Sequence, residues 1–257
     1  MSIHPTAIVA PTARLGAGVT IAPYAIIGDS VTLGDGTSVG AHAVVEGGAQ
    51  VGRNCRIFSH AVVGSEPQDL KYRGEKSLLV VGDGTVIREF ATLNRATSGG
   101  GGKTVVGKNC LIMAYGHVAH DCHLGDGVIL ANAATLGGHV VIEEHAIVGG
   151  LTGVHQFCRI GAHAIIGGCS GLLLDIPPYV KAQGNRPRLY GLNTVGLKRH
   201  RFPPETIRHL KQAYRLLFLS GLPTSQALER IGAELPACAE VQHLVHFIKT
   251  SSRGITR

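Results

Sequence analysis

The sequence predicts a mainly β protein, a parallel β-helix of hexapeptide repeats with a small α-helical domain at its C-terminus. Every sixth residue is Ile, Leu or Val at twenty-six consecutive positions from Ile3 to Leu172, with the count restarted after two interruptions. A period of six fits neither an amphipathic helix nor an alternating strand. It is typical of solenoids in which each coil stacks its apolar residue on the coil below. Thirty-six glycines and no tryptophan suit the tight corners and thin core of such a fold.

The order of residue types within each repeat resembles the left-handed hexapeptide β-helix, in which three hexapeptides form one triangular coil. The left-handed sense comes from this resemblance and not from the period. With eighteen residues in a coil, residues eighteen apart stack at the spacing of neighbouring β-strands, about 4.8 Å. We therefore expect His120 beside Gly138, and Asp121 beside His139.

The repeat divides the chain into a β-helix domain over residues 1–180, an irregular connection over 181–202 and a helical domain over 203–257. Two insertions interrupt the β-helix, near residues 65–80 and 97–104. The first is polar and is either part of a binding face, as insertions in solenoids often are, or a solvated loop. The second, TSGGGGKT, lacks the first glycine and the strand–helix context of a phosphate-binding loop, which favours a flexible loop.

Three helices are expected in the C-terminal domain. The first begins at Pro203-Pro204 and ends near Gly221, the second begins at Thr224 and the third at Glu240, each with apolar residues at helical spacing. Together they would cover the end of the solenoid, where the last coil would otherwise expose unpaired strand edges.

Charge, cysteine content and hydropathy limit the classes of function. A net charge of +7 indicates either an anionic partner or a solvated basic surface. The six cysteines form no CxxC pair, and four occupy the small position of a hexapeptide, which favours buried free thiols over disulfides or metal ligands. No signal-peptide pattern and no apolar run of membrane-spanning length occur. We expect a soluble, cytoplasmic protein that binds no nucleic acid.

The chemistry is concentrated in residues 112–123, IMAYGHVAHDCH. Within this stretch His120 directly precedes Asp121, so that a base lies beside a carboxylate that can orient it. The isolated His42 and His60 of the first coils are instead expected to be solvated corner residues.

Motifs along the whole chain resemble a known family. In order they are QDLKY (68–72), GHVAHDC (116–122), GGHV (137–140), GVHQFCRIGAH (153–163), GGCSG (167–171), IPPYV (176–180) and GLKR (196–199). Together with the helical tail they resemble the acyl-(acyl-carrier-protein)–UDP-N-acetylglucosamine O-acyltransferases of lipid A biosynthesis. The resemblance implies an enzyme that moves an (R)-3-hydroxyacyl chain from acyl carrier protein to the 3-hydroxyl of the glucosamine unit, the first step of that pathway.

The resemblance implies a role for each matching residue. His120 is the general base, Asp121 holds its imidazole, and the backbone amide of Gly138 stabilises the oxyanion, a contribution typically worth about 10²–10³ in rate. Gly168 matches the position that limits acyl-chain length, and its missing side chain predicts a channel open to a longer chain. Binding of the sugar and acyl groups is implied for Gln68, Asp69, Lys71, His117, His139, His155 and Gln156, and binding of the nucleotide for Asn193 and Arg199.

The resemblance also implies a homotrimer with active sites between subunits. The partners are acyl carrier protein, whose phosphopantetheine carries the acyl chain, and UDP-N-acetylglucosamine, with no further cofactor and no metal. Basic residues of the C-terminal region form either a docking surface for the acidic carrier protein or a merely solvated face: Lys198, Arg199, Arg201, Arg208, Lys211 and Arg215.

Three positions depart from the family pattern. Val195 replaces a common acid, His200 replaces a frequent Arg, and Asn94 stands where many members have His. The sequence leaves open whether the acceptor sugar carries a 3-hydroxyl or a 3-amino group. A zinc enzyme of the γ carbonic anhydrase type, the related N-acyltransferase with an additional N-terminal uridine-binding domain, and a non-catalytic scaffold are the further alternatives.

Overall fold

Twenty-six short parallel strands wind around one apolar interior in the computed structural model, which describes residues 1–257. Most contain two residues, and the second is the aliphatic residue of the hexapeptide repeat. This residue is buried in every strand from Ile21 onward. The bounds are β1 Ser2–Ile3, β2 Ile8–Val9, β3 Arg14–Leu15, β4 Thr20–Ile21, β5 Ile26–Ile27, β6 Thr32–Leu33, β7 Ser38–Val39, β8 Val44–Val45, β9 Gln50–Val51, β10 Arg56–Ile57, β11 Val62–Ser65, β12 Leu78–Val81, β13 Val86–Ile87, β14 Thr92–Asn94, β15 Lys103–Val106, β16 Leu111–Ile112, β17 His117–Val118, β18 His123–Leu124, β19 Ile129–Leu130, β20 Thr135–Leu136, β21 Val141–Ile142, β22 Ile147–Val148, β23 Gly153–Val154, β24 Arg159–Ile160, β25 Ile165–Ile166 and β26 Gly171–Leu172.

The strands form three parallel sheets, one on each side of a triangular coil. Every third strand belongs to the same sheet, so that sheet 1 starts at β1, sheet 2 at β2 and sheet 3 at β3. Paired residues lie eighteen apart where no insertion intervenes, as with His117 beside Thr135 and His123 beside Val141. The predicted fold class, a left-handed parallel β-helix with a small helical domain, is confirmed.

The cysteines are free, and four of them fill small interior positions. Burial raises the pKa of Cys110 to about 11, of Cys122 to about 12 and of Cys158 to about 11. These thiols therefore stay protonated at neutral pH and act as small apolar side chains, as their place in the repeat predicts. Cys55 is buried in the same way, whereas Cys169 is exposed.

The corner between sheets 1 and 2 carries a continuous stack of rings and is called the aromatic corner. Tyr24, His42, His60, Phe90 and Tyr115 follow one another with ring centroids 4.9 to 5.0 Å apart. All five are exposed and have positive φ, because each occupies the same left-handed turn position of its coil. His42 and His60 are thus exposed corner residues, as predicted, and each also stacks between two neighbouring rings.

Both insertions leave the solenoid at the corner between sheets 2 and 3. The first lies between β11 and β12, and the second lies between β14 and β15. In the next three coils this corner is formed by short two-residue turns and is called the histidine corner: His120–Asp121, Gly138–His139 and Gln156–Phe157.

The predicted irregular connection instead contains a β-hairpin and a short helix. Strand β27, Val180–Gly184, continues sheet 1 beside β25 and pairs in antiparallel orientation with β28, Pro187–Leu192. Buried and exposed residues alternate along β27, which is the sequence signal of a half-buried strand. Helix α1, Thr194–Arg199, follows and lies against the third corner, called the cap corner: Glu144–His145, Ala162–His163 and Pro178–Tyr179.

Three further helices complete the chain: α2 Pro204–Phe218, α3 Thr224–Glu234 and α4 Ala239–Lys249. Their starts agree with the sequence prediction to within one residue. The apolar face of α2 is buried, and the helix contacts β28, α3 and α4. The guanidinium of Arg159 in β24 lies 4.1 Å from the ring centroid of Phe247, which fixes α4 against the solenoid. None of the helices combines the length and the apolar character needed to cross a membrane.

Candidate active site

The histidine corner stacks its turns directly on one another. The backbone N–H of His139 donates to the carbonyl of His120 at 3.0 Å, and that of Phe157 donates to the carbonyl of Gly138 at 3.1 Å. Asp121, His139 and Phe157 have φ values of 59°, 61° and 65°, so that each coil turns in the same way. The expected neighbours, His120 with Gly138 and Asp121 with His139, therefore lie together.

His120 and Asp121 form a hydrogen-bonded pair. Nδ1 of His120 lies 2.8 Å from Oδ2 of Asp121, and the Asp121 side chain is completely buried whereas that of His120 is 13% exposed. Because the carboxylate accepts the Nδ1 proton, Nε2 of a neutral His120 is the free acceptor nitrogen. The arrangement is that of a base whose ring orientation is fixed by a buried carboxylate.

The second insertion holds this carboxylate in place. The backbone N–H and the hydroxyl of Thr97 donate to Asp121 at 3.1 and 2.7 Å. The backbone N–H of Asp121 donates to the hydroxyl of Thr104 at 2.8 Å. A Cβ atom on Gly100 would lie 2.0 Å from Cγ of Asp121, so that only glycine permits this approach. The segment predicted as a flexible loop is thus bound to Asp121 at both ends.

Gly138 brings an unpaired backbone donor to the same point. A Cβ atom here would lie 2.6 Å from Cε1 and 2.7 Å from Nε2 of His120. The N–H of Gly138 has no acceptor within the chain, as is also true of the equivalent N–H groups of His120 and Gln156. Gly138 differs from these two residues because it has no side chain, which lets a substrate oxygen approach the amide beside the imidazole.

A groove of about 630 Å³ runs from this point across the outer face of sheet 2. His117, Thr135, Gly153 and Gly171 occupy successive strands on its floor. The last two have no side chain, and a Cβ atom on Gly153 would meet no atom within 4 Å. The groove is therefore open over Gly153, whereas the Asn185 side chain borders it at Gly171, where an added Cβ atom would lie 2.8 Å from Oδ1 of Asn185. Its walls include three more of the predicted binding residues: Gln68, His155 and Gln156.

His117 lies in the groove as a neutral side chain. Its Nδ1 lies 2.7 Å from the hydroxyl of Thr92. Burial, and to a smaller extent the neighbouring His120, lower the pKa of His117. At neutral pH it therefore offers a hydrogen-bond donor or acceptor and no positive charge.

Asp69, Lys71, His139 and Gly168 are predicted site residues that do not line the groove of this chain. Asp69 and Lys71 follow Gln68 in the first insertion, where the Asp69 carboxylate accepts from the N–H of Lys71 at 2.9 Å. His139 lies behind the pair, with Nε2 3.7 Å from Oδ2 of Asp121 and its ring stacked on Phe157. Gly168 lies on the aromatic-corner side of sheet 2, in the turn before β26.

His120, Asp121 and His139 also form a possible set of metal ligands. One ligand atom from each lies within 4.8 Å of the others. The Asp121 carboxylate, however, already accepts hydrogen bonds from Thr97 and His120. A cation held by all three residues would compete with these hydrogen bonds for the carboxylate oxygens.

Comparison with known proteins identifies the family. A model described as UDP N-acetylglucosamine O-acyltransferase, domain 2, matches residues 175–256, and one described as bacterial transferase hexapeptide matches residues 103–138. An acyl-(acyl-carrier-protein)–UDP-N-acetylglucosamine O-acyltransferase from Anaeromyxobacter dehalogenans is 53% identical over 257 residues, 100% of both chains. Its counterpart from Alkalilimnicola ehrlichii is 56% identical over 258 residues, 99% of both chains. The chain belongs to this acyltransferase family.

Solved structures agree with this assignment. A UDP-N-acetylglucosamine acyltransferase from Bacteroides fragilis superposes with a TM-score of 0.97 at 41% identity. One from Campylobacter jejuni superposes with a TM-score of 0.94 at 40% identity. In both cases 99% of each chain is covered, so that the O-acyltransferase family shares the solenoid and the helical domain alike.

The predicted nucleotide-binding residues of this family member lie at a different corner of the β-helix from His120. Asn193 is the N-cap of α1 and accepts from the N–H of Gly196 at 3.1 Å, while its amide donates to the carbonyl of His163 at 2.9 Å. Arg199 is exposed at the end of the same helix. The next residue, His200, packs its ring against His163. Both predicted residues thus belong to the cap corner.

Thr97, Gly100 and Thr104 are the site residues that sequence reasoning missed. The insertions disturb the eighteen-residue register, so that counting does not place the second insertion beside Asp121. The pairing of Leu93 with Val118 shows that the corner after β14 lies directly below His120. Aligning the aliphatic repeat residues on either side of the insertion would have predicted this neighbourhood from the sequence.

Proposed function

We propose that this protein transfers an (R)-3-hydroxyacyl chain from acyl carrier protein to the 3-hydroxyl of UDP-N-acetylglucosamine, the first step of lipid A biosynthesis in the cytoplasm. Membership of the O-acyltransferase family supports the reaction type and both substrates. The observation that carries the proposal is the His120–Asp121 pair beside the free amide of Gly138, at the end of an open groove.

The chemistry requires one base and one oxyanion donor. Nε2 of His120 takes the proton of the sugar hydroxyl while the hydroxyl oxygen attacks the thioester carbonyl. The carbonyl becomes an oxyanion that accepts from the N–H of Gly138. The intermediate then collapses, the carbon–sulfur bond breaks, and the imidazolium of His120 returns its proton to the departing phosphopantetheine thiolate. Asp121 stabilises the imidazolium throughout.

The remaining residues are proposed to hold the substrates around this point. His117 binds sugar or acyl polar groups as a neutral hydrogen-bonding partner, together with Gln68, Asp69 and Lys71 of the first insertion. His139, His155 and Gln156 extend the polar surface along the histidine corner. The acyl chain lies on the side-chain-free floor at Gly153 and Gly171, with Gly168 limiting its length.

We further propose a homotrimer in which a second copy completes each site. Asn193 and Arg199 are proposed to contact the nucleotide, Arg199 through a phosphate. Because they lie on the cap corner and His120 lies on the histidine corner, one chain does not bring the two groups together. Placing the cap corner of one subunit against the histidine corner of the next would do so.

The proposal is tested by incubating the purified protein with hydroxyacyl carrier protein and UDP-N-acetylglucosamine and measuring acylated product by mass. The wild type should form product, and His120→Ala should lower kcat by about 10²–10⁴. His42→Ala, which removes an exposed histidine of the aromatic corner, is the matched control. Turnover only with a 3-amino acceptor would retain the mechanism and change the substrate. Inactivity on both acceptors would refute the proposal.

The close approach of His120, Asp121 and His139 favours one second candidate, a zinc-dependent hexapeptide-repeat enzyme of the carbonic anhydrase type. Metal analysis of the purified protein separates the two. The acyltransferase proposal expects full acyl transfer after treatment with a chelator and no stoichiometric zinc. Zinc at one equivalent per chain, with activity lost on its removal, would favour the second candidate.

A further inference from the structure

A cavity of about 810 Å³ lies between the β27–β28 turn and the last residues of the chain. Three arginines line it: Arg186 in the turn, Arg188 in β28 and Arg257. All three are exposed, and none forms an ion pair with a carboxylate. No Asp or Glu side chain lines the cavity. The guanidinium of Arg257 donates to the hydroxyl of Thr224, whereas the guanidinium groups of Arg186 and Arg188 form no hydrogen bond within the chain. A bound anion would offset the repulsion among these positive charges.

The cavity is continuous with the groove of the candidate active site. Leu173 and Asn185 line both. A fourth arginine, Arg253, lies at the junction, where its Nε and Nη2 atoms donate to the carbonyl of Leu173 at 3.2 and 3.1 Å. The same Nη2 lies 3.3 Å from Nδ1 of His155, which lines the groove. A molecule bound in the groove beside His120 can therefore extend into the cavity.

We propose that this arginine cavity binds a phosphate ester of a substrate. The planar guanidinium fork matches phosphate oxygens in paired hydrogen bonds, and arginines without carboxylate partners suit an anionic phosphate ester. The proposal rests on the proposed function, because both proposed substrates carry such a group. One is the phosphodiester that joins the pantetheine arm to the carrier protein, and the other is the diphosphate of the sugar nucleotide.

The test is the double variant Arg186→Gln/Arg188→Gln. Its matched control is Arg14→Gln/Lys249→Gln, which removes the same charge from exposed positions that lie outside the cavity and form no ion pair. Steady-state kinetics with each substrate varied in turn should show KM raised about tenfold or more for one substrate, with kcat nearly retained. A rise for the acyl carrier protein donor alone assigns the phosphodiester, and a rise for the sugar nucleotide alone assigns the diphosphate. Unchanged KM values, or the same change in the control, would overturn the proposal.

Direct binding separates this inference from the proposed function. Calorimetry with pantetheine 4′-phosphate, with unphosphorylated pantetheine and with inorganic pyrophosphate needs no turnover. The wild type should bind at least one phosphorylated probe more tightly than the double variant does. The affinity for unphosphorylated pantetheine should be the same in both proteins. If the wild type turns over neither acceptor, the proposed function fails. The calorimetric comparison still decides in that case whether the cavity binds phosphate. Equal affinity of wild type and variant for both phosphorylated probes would rule the site out.

Discussion

The hydroxyl of Thr97 donates a hydrogen bond of 2.7 Å to Oδ2 of Asp121, the same oxygen that lies 2.8 Å from Nδ1 of His120. One buried carboxylate oxygen thus connects a residue of the second insertion to the proposed base. Thr97 does not line the groove, so its effect on the reaction must pass through Asp121.

Thr97→Val should lower kcat by about 10–100-fold and leave both KM values nearly unchanged, because it removes one hydrogen bond to a charged group outside the binding surface. Thr97→Ser retains the hydroxyl and should restore most of the rate. Thr85→Val is the matched control, since Thr85 is also buried and its hydroxyl donates to the carbonyl of Gly107 at 2.8 Å. Thr85 lies at the corner between sheets 3 and 1, away from the histidine corner. Equal losses in the Thr97 and Thr85 variants would indicate a purely structural role.

Gly100→Ala should lower kcat by about 10²-fold or more, since the added Cβ would overlap the Asp121 carboxyl group and displace it from His120. Gly99→Ala is the adjacent control, because its Cβ would meet only the Thr97 hydroxyl, at an ordinary 3.8 Å. Measuring kcat and the melting temperature of both variants checks the prediction. Loss of activity in both would point to the flexibility of the loop and not to Asp121.

Gly138→Ala should reduce kcat by about 10²–10³, because a Cβ 2.7 Å from Nε2 of His120 forces the base away and blocks access to the amide. Gly232→Ala, in the interior of α3 with no atom within 4 Å of the added Cβ, should retain activity and stabilise the helix by about 0.5–1 kcal/mol. An active Gly138→Ala enzyme would exclude this amide as the oxyanion donor.

The repeat predicts the solenoid and the part of the site that lies within uninterrupted coils. It does not predict contacts that involve the insertions. His120 and Gly138 are one uninterrupted coil apart, so that counting eighteen residues places them together. Thr97 and Asp121 are separated by an insertion, and their contact depends on a path that no period encodes. Asn193 shows a second limit, because its side chain caps α1 within the chain and only an assembly of several chains would show what it meets.

The pH dependence of stability should reveal the histidines of the cap corner. Burial, with His200, His145 and His243 nearby, lowers the pKa of His163 to about 4. Between about pH 6.5 and pH 4 the unfolded chain therefore binds a proton that the folded chain does not. The free energy of unfolding consequently decreases as the pH falls through that window. Hydrogen bonding to Glu143 raises the pKa of His243, so that its stabilising contribution is present at low pH and is lost as pH rises through the raised pKa.

His163→Phe removes the first of these titrations and keeps a ring against His200 and Phe202. Denaturant unfolding at pH 7.5 and pH 5 should show that the wild type loses about 1–2 kcal/mol more than this variant on acidification. His60→Phe, at an exposed position of the aromatic corner, should behave like the wild type. Parallel pH dependence of wild type and His163→Phe would show that His163 is not the group that opposes folding in acid.

Acyl-chain length should depend on the turn at Gly168. Gly168 is exposed, and an added Cβ would lie 3.1 Å from the carbonyl of Gly150, so that a larger side chain must extend outward over the end of the sheet-2 surface. With hydroxyacyl donors from decanoyl to hexadecanoyl, the wild type should favour the longer chains, and Gly168→Met should shift the preference toward decanoyl. The loss should appear in kcat/KM for long donors only, because the reacting groups at His120 are unchanged. A wild type that prefers decanoyl would contradict the open channel, and an unchanged profile in Gly168→Met would place the limit on chain length elsewhere along the groove.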